Sequence, residues 1–189
     1  MQSEYKLTLP ALDPDQAAPL AKALLDDAQS KLGFVPNMYR VMANSPGLLA
    51  TYIDGYNRFR ELSGFTPAEQ EVVFLAISRE NGCTYCVAAH SFLADQMSGV
   101  PAAVTDAIRN GTPIPDAKLA ALHDFTRNMV TQRGLPNQAD VQAFLAAGFS
   151  ESQMLEVVLA ISVKTLSNYA NHLFHTPLDS VFAGRVWTD

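Results

Sequence analysis

The chain has 189 residues, of which 48% are hydrophobic and 17% charged, and a formal net charge of −6 from 13 basic and 19 acidic side chains. That length suits a single domain, residues 1–189, burying roughly two-thirds of its unfolded surface. The acidic balance, without any Lys/Arg cluster, excludes a nucleic-acid footprint, and apolar runs such as Val157 to Ile161 are far too short to span a bilayer. The low charged fraction leaves more apolar surface than a monomer needs, which points to a homo-oligomer. Residues 1–13 show neither a basic leader nor an apolar run, so no signal peptide is expected and the chain is read as cytoplasmic, with no membrane partner.

Helix signals recur throughout and no strand alternation appears, so the fold class is all-α. After an extended arm over about residues 1–12, Asp13-Pro14-Asp15-Gln16 offers a cap, a first-turn proline and a polar N3 residue. The helix it opens should run to Gly33. A brief helix is expected near Met38 to Ala43, and Ser45-Pro46 starts another that ends at Gly64. Leu48, Leu49, Tyr52, Ile53 and Tyr56 follow its helical spacing. Thr66-Pro67-Ala68-Glu69 is a capping box with proline at N1, and it opens a helix that Asn81-Gly82 breaks. The next helix runs from about Thr84 to Met97. Three more are expected near Pro101 to Arg109, Pro115 to Arg133 and Gln138 to Ala147, each closed by a glycine.

An offset of 84 residues lays Leu75-Ala76-Ile77-Ser78 on Leu159-Ala160-Ile161-Ser162, and Thr66 on Ser150. The second copy reads as the same helix pair used twice. Its counterparts of Cys83, Cys86 and Glu71 are Ser167, Ala170 and Leu155, so the scaffold is repeated and the chemistry is present once.

That chemistry lies between Glu71 and His90. Both cysteines of the chain are here, as Cys83-Thr84-Tyr85-Cys86, with His90 four residues later and Glu71 twelve before the first thiol. In a reducing compartment such a pair is catalytic or metal-binding rather than structural. If Asn81-Gly82 joins antiparallel helices, Glu71 and His90 sit ~15 and ~12 Å from the turn, level enough to face each other. Cys86 and His90 share a helix face, and Cys83 and Cys86 are within reach of a disulfide. A helix N-terminus and a nearby imidazole both favour a thiolate. His90 can take the proton of Cys86, with Glu71 orienting the ring. The thiolate would then attack a peroxide oxygen, Cys83 would condense with the sulfenic acid, and an external dithiol would restore the pair. Cys86 is assigned as the attacking sulfur because it carries the i+4 histidine; the reverse assignment stays open. Tyr85 is read as a packing residue or a relay member. No cofactor and no metal are called for. The competing metal reading sets Cys83, Cys86 and His90 with His172 or His175 around zinc, without a standard ligand spacing.

Glu71-x11-Cys83-x-x-Cys86-x3-His90 resembles the core of the alkylhydroperoxidase AhpD-like proteins of the carboxymuconolactone decarboxylase superfamily. Gly33-Phe34-Val35-Pro36-Asn37 and Asn44-Ser45-Pro46 are similar to its peroxidase-related branch, and the likeness spans about residues 30–175. The resemblance implies an all-α helical bundle, homo-oligomers (often trimers or hexamers), and peroxidase activity toward a hydroperoxide substrate. It further implies an external dithiol reductant of lipoyl type, with Cys86, Cys83, His90, Glu71 and Tyr85 as the catalytic set. Tyr85 stands where that pattern often has a histidine. The alternatives are a decarboxylase-like enzyme, which the cysteine pair disfavours, and a non-catalytic redox-sensing or metal-binding module.

Overall fold

A computed structural model describes residues 3–188. Among them are nine α-helices, two 3₁₀ turns and no strand. The helices are α1 (Pro19–Leu32), α2 (Asn37–Met42), α3 (Pro46–Leu62), α4 (Pro67–Glu80), α5 (Thr84–Gln96), α6 (Ala102–Asn110), α7 (Ala117–Thr131), α8 (Gln138–Ala146) and α9 (Glu151–Phe174). None of these helices alone is long and apolar enough to cross a membrane.

The organising element is α4. Thr66 Oγ1 accepts the Glu69 N–H and the Glu69 carboxylate accepts the Thr66 N–H, so the expected capping box fixes where the helix starts. Every residue from Glu69 to Ser78 is buried, because α5, α7 and α9 pack around it. A helix surrounded on this scale has no solvent face, which accounts for its near-continuous apolar run. Gly82, at φ +64°, turns the chain into α5 with Cys83 as the N-cap residue. One apolar cluster gathers Phe59, Phe74, Phe125 and Phe144 beneath α4. A second joins Met38, Met42 and Tyr52 to Cys83 and Cys86.

Two expectations are corrected. The helix opened at Asp13 is only a 3₁₀ turn, Pro14–Gln16, and α1 begins at Pro19. A proline at that depth would remove an i→i−4 bond and clash with the preceding turn, so it restarts the helix instead. The echo of α4 holds at its capping box, where Ser150 and Gln153 repeat Thr66 and Glu69, but not at the turn. Thr165-Leu166 stands where the first copy has Asn81-Gly82, and α9 runs on unbroken for 24 residues. A single rod of about 36 Å thus crosses the α4–α5 pair where a second hairpin was expected.

Candidate active site

The hairpin brings Glu71 and His90 together, with Glu71 Oε2 lying 2.8 Å from His90 Nδ1. The other carboxylate oxygen, Oε1, accepts from Arg60 on α3. The Arg60 guanidinium also donates to Tyr56 Oη (2.7 Å) and Gln70 Oε1 (3.1 Å), and sits 4.9 Å from the centroids of both Tyr56 and Phe74. Glu71 is completely buried. Burial pushes its carboxyl up, but His90 and Arg60, one on each oxygen, bring it below the usual carboxylate range.

His90 is engaged at both ring nitrogens. Its Nε2 lies 2.8 Å from the Nζ of Lys164, a side chain on α9 with 1% exposure. An ionised carboxylate only accepts, so the ring proton sits on Nδ1 and Nε2 accepts from the lysine. Burial, reinforced by the Lys164 charge and opposed by Glu71, lowers His90 to about 4, so the imidazole is neutral near pH 7.

The sulfurs are bonded from α9 instead. Asn171 Nδ2 donates to Cys86 Sγ at 3.2 Å and reaches Cys83 Sγ at 3.8 Å. Both cysteines are reduced and 1% exposed. Burial pushes the Cys86 thiol up, yet the hydrogen bond from Cys83, the Lys164 charge and the amides of Asn168 and Asn171 outweigh it and bring it to about 6. Cys83 moves the other way, well above the ordinary thiol value, first through burial and then through the hydrogen bond it makes to Cys86. The two thiols are thus pushed in opposite directions, Cys86 toward the thiolate and Cys83 toward the protonated form. The i, i+4 spacing set a proton path between Cys86 and His90, and no direct hydrogen bond joins the two side chains. Buried charges draw the imidazole to Glu71 and Lys164, and an amide satisfies the sulfur.

Cys86, His90 and Lys164 line one cavity of about 410 Å³, with Tyr39, Tyr52 and Phe182 among its walls. Cys83 does not line it, so of the two sulfurs Cys86 is the one that faces the cavity. A polar cavity of about 460 Å³, lined by Arg79, His123 and Asp124, contains no cysteine. Tyr85 supports the cavity wall. Its hydroxyl donates to Asp179, which also accepts the Asn37 N–H at 3.1 Å, and its ring meets Phe182 edge-on at 6.2 Å. The phenol is thus committed to the C-terminal segment and to neither sulfur. Farther along that segment, Arg185 pairs with Asp95 and Asp106, both at 2.8 Å, and Trp187 Nε1 donates to the Arg109 carbonyl at 2.9 Å.

The zinc arrangement is not assembled. Among the described residues no three His, Cys, Asp or Glu side chains converge as a metal site, and His175 Nε2 lies 2.8 Å from the Ser3 carbonyl. Arg60, Lys164 and Asn171 are the site residues that sequence reasoning missed. For Lys164 a signal exists: it falls in phase with the buried positions Val157, Ala160, Ser167 and Asn171 of α9.

No protein-family model and no curated protein matches the chain in sequence. Solved structures match it in shape. An alkylhydroperoxidase AhpD core, an uncharacterized peroxidase-related protein from Ralstonia eutropha JMP134, matches with a TM-score of 0.81 at 24% identity over 95% of this chain and 97% of that one. An uncharacterized peroxidase-related protein from Silicibacter sp. TM1040 gives 0.78 at 22% identity over 97% of each chain. The debrominase Bmp8, in complex with 2,3,4-tribromopyrrole, gives 0.75 at 16% identity over 97% of each. The chain has the AhpD core fold.

Proposed function

We propose that the chain is a thiol-dependent peroxidase of the AhpD-like group, with Cys86 as the attacking sulfur and Cys83 as the resolving one. The observation that carries this reading is a buried cysteine pair sharing one amide donor, of which Cys86 opens onto a cavity beside His90 and Lys164. The thiolate attacks the terminal oxygen of a hydroperoxide and the O–O bond breaks, leaving Cys86 as a sulfenic acid while a proton goes to the departing alkoxide. Cys83 then attacks the sulfenic sulfur, and its thiol hydrogen leaves with the hydroxyl as water. An external dithiol returns two electrons by exchange and becomes a disulfide. Glu71, clamped by Arg60, fixes the His90 tautomer.

The test is peroxide consumption with dihydrolipoamide or dithiothreitol as reductant. Turnover should vanish in Cys86→Ser, and one equivalent of peroxide should remove two hydrogens from the intact protein's mass, reversibly. Undiminished turnover in that variant rejects the assignment. The aromatic walls of the cavity, together with the debrominase sharing this fold, favour one second reading, reductive dehalogenation. There the same two sulfurs would be oxidised to the disulfide while a carbon–halogen bond becomes carbon–hydrogen and halide leaves. Halide release from a bromopyrrole, without peroxide consumption, would select it.

Self-association belongs to the same proposal. Leu155, Val158, Tyr169 and Leu173 are exposed at 70, 47, 56 and 42% and fall on one stripe of α9. A stripe of this kind supports a homo-oligomer. Light scattering at the monomer mass would count against it.

A further inference from the structure

Lys164 is a buried cation without a carboxylate. Its Nζ meets His90 Nε2 at 2.8 Å and lies 5.5 Å from the Phe74 centroid, and no ion pair to it is formed among the described residues. The nearby Glu71 has one oxygen on Arg60 and the other on His90. A buried ammonium without a counter-charge costs several kcal/mol, so an anion beside Lys164 on the cavity it lines is its natural partner. The titratable groups that share its cavity are Cys86, His90 and Tyr85 on α5, Tyr52 and Tyr56 on α3, Tyr39 on α2 and Lys31 on α1, while Glu71 on α4 lies beyond the His90 ring and Cys83 beside Cys86. Glu71 is already matched by Arg60, the phenols are held neutral by burial, and Cys83 is protonated. Cys86 alone remains.

The hydrogen-bond pattern then bears on where a proton can come from, since burial holds the phenols of the cavity well above their ordinary values and makes them poor acids. His90 gives its only ring proton to Glu71, and its free lone pair is occupied by Lys164. The imidazole has no proton facing the cavity. Lys164 does, because it lines that cavity together with Cys86. We propose that Lys164 is the counter-ion of the Cys86 thiolate and the acid that protonates the oxygen leaving it.

The proposal rests on the peroxidase reading and completes its proton account. The resting site holds Cys86 as thiolate and Lys164 as ammonium. Attack on the terminal peroxide oxygen forms the S–O bond and breaks O–O. The departing alkoxide takes a proton from Nζ and leaves as the alcohol, so Lys164 becomes the neutral amine. Condensation with Cys83 releases water without further demand on the lysine. The external dithiol then brings two electrons and two protons. One proton stays on Cys83 and the other returns to Nζ, which restores the thiolate–ammonium pair.

Two measurements on Lys164→Met separate the halves. The first is the pH profile of Cys86 alkylation by iodoacetamide, which involves no peroxide. The midpoint should rise by about one unit or more above the parent's once the charge is gone. An unmoved midpoint overturns the counter-ion role. The second compares tert-butyl hydroperoxide with peracetic acid, whose carboxylate departs without needing a proton. At a pH where both proteins are fully thiolate, the variant should lose about 100-fold or more with the hydroperoxide and little with the peracid. Equal losses on both overturn the acid role, and retained peracid turnover shows that the variant is folded. Lys164→Arg keeps the charge on a group that does not deprotonate, so it should hold the alkylation midpoint yet lose the hydroperoxide reaction. If the parent protein consumes neither peroxide, the peroxidase reading falls and the acid role falls with it, while the alkylation midpoints still decide the counter-ion role.

Discussion

Replacing Arg60 by Met leaves Glu71 charged at a position with no solvent contact. Arg60 supplies the hydrogen bond to Glu71 Oε1, a second to Tyr56, a third to Gln70, and a guanidinium over the Tyr56 and Phe74 rings. Removing one partner of a buried pair costs about 3–5 kcal/mol, a large share of the ~5–15 kcal/mol that holds a domain together. For a chain of this size that corresponds to a fall in Tm of about 10 °C. Urea unfolding at pH 7 measures it directly. The same substitution made in a Glu71→Gln background should cost about 2 kcal/mol less, because the stranded charge is already gone. The pH dependence has a definite sign. Glu71 is held below its ordinary value in the folded protein, so its contribution is complete above the usual carboxylate range and fades as pH falls through the lowered value. The deficit of Arg60→Met should therefore shrink in acid. Strictly additive single and double variants, or a deficit that grows on acidification, would refute the buried-pair argument.

Other consequences are simpler to test. Asn171→Leu removes the amide donor of both sulfurs and should raise the alkylation midpoint of Cys86 above the parent's without moving that of an unfolded control. Tyr85→Phe cuts the phenol's bond to Asp179, so amides in residues 179–187 should exchange faster with deuterium while Cys86 keeps its midpoint. A displaced midpoint instead would return Tyr85 to the proton path. Thr66→Ala deletes the α4 cap and should cost about 1 kcal/mol in urea, whereas no loss would mean that packing alone fixes the start of that helix.

The boundaries of α4 and α5 were legible because their signals are local: a capping box and an Asn-Gly turn need no tertiary context. So was the facing of Glu71 and His90, since equal distances from one turn fix relative height. The start of α1 takes a second signal, since Pro19, five residues after Pro14, outweighs the earlier cap. The direction of the His90 ring has a deeper cause. Spacing shows that Cys86 and His90 share a face, but the direction of the ring is decided by groups 19 and 74 residues away along the chain. Lys164 marked itself by standing in an apolar phase. Which helix it would meet is a property of packing, and no periodicity encodes it.

The acidity of Cys86 is assembled from far-apart pieces. Lys164, Asn168 and Asn171 all reside on α9, about eighty residues downstream of the sulfurs they act on. While the polypeptide is still being made, or whenever α9 is detached, Cys86 is an ordinary thiol with a pKa of ~8.5 and correspondingly dull toward oxidants. Only the docking of that one rod completes the polar surroundings of the sulfur, so a chain whose last long helix is not yet made lacks them.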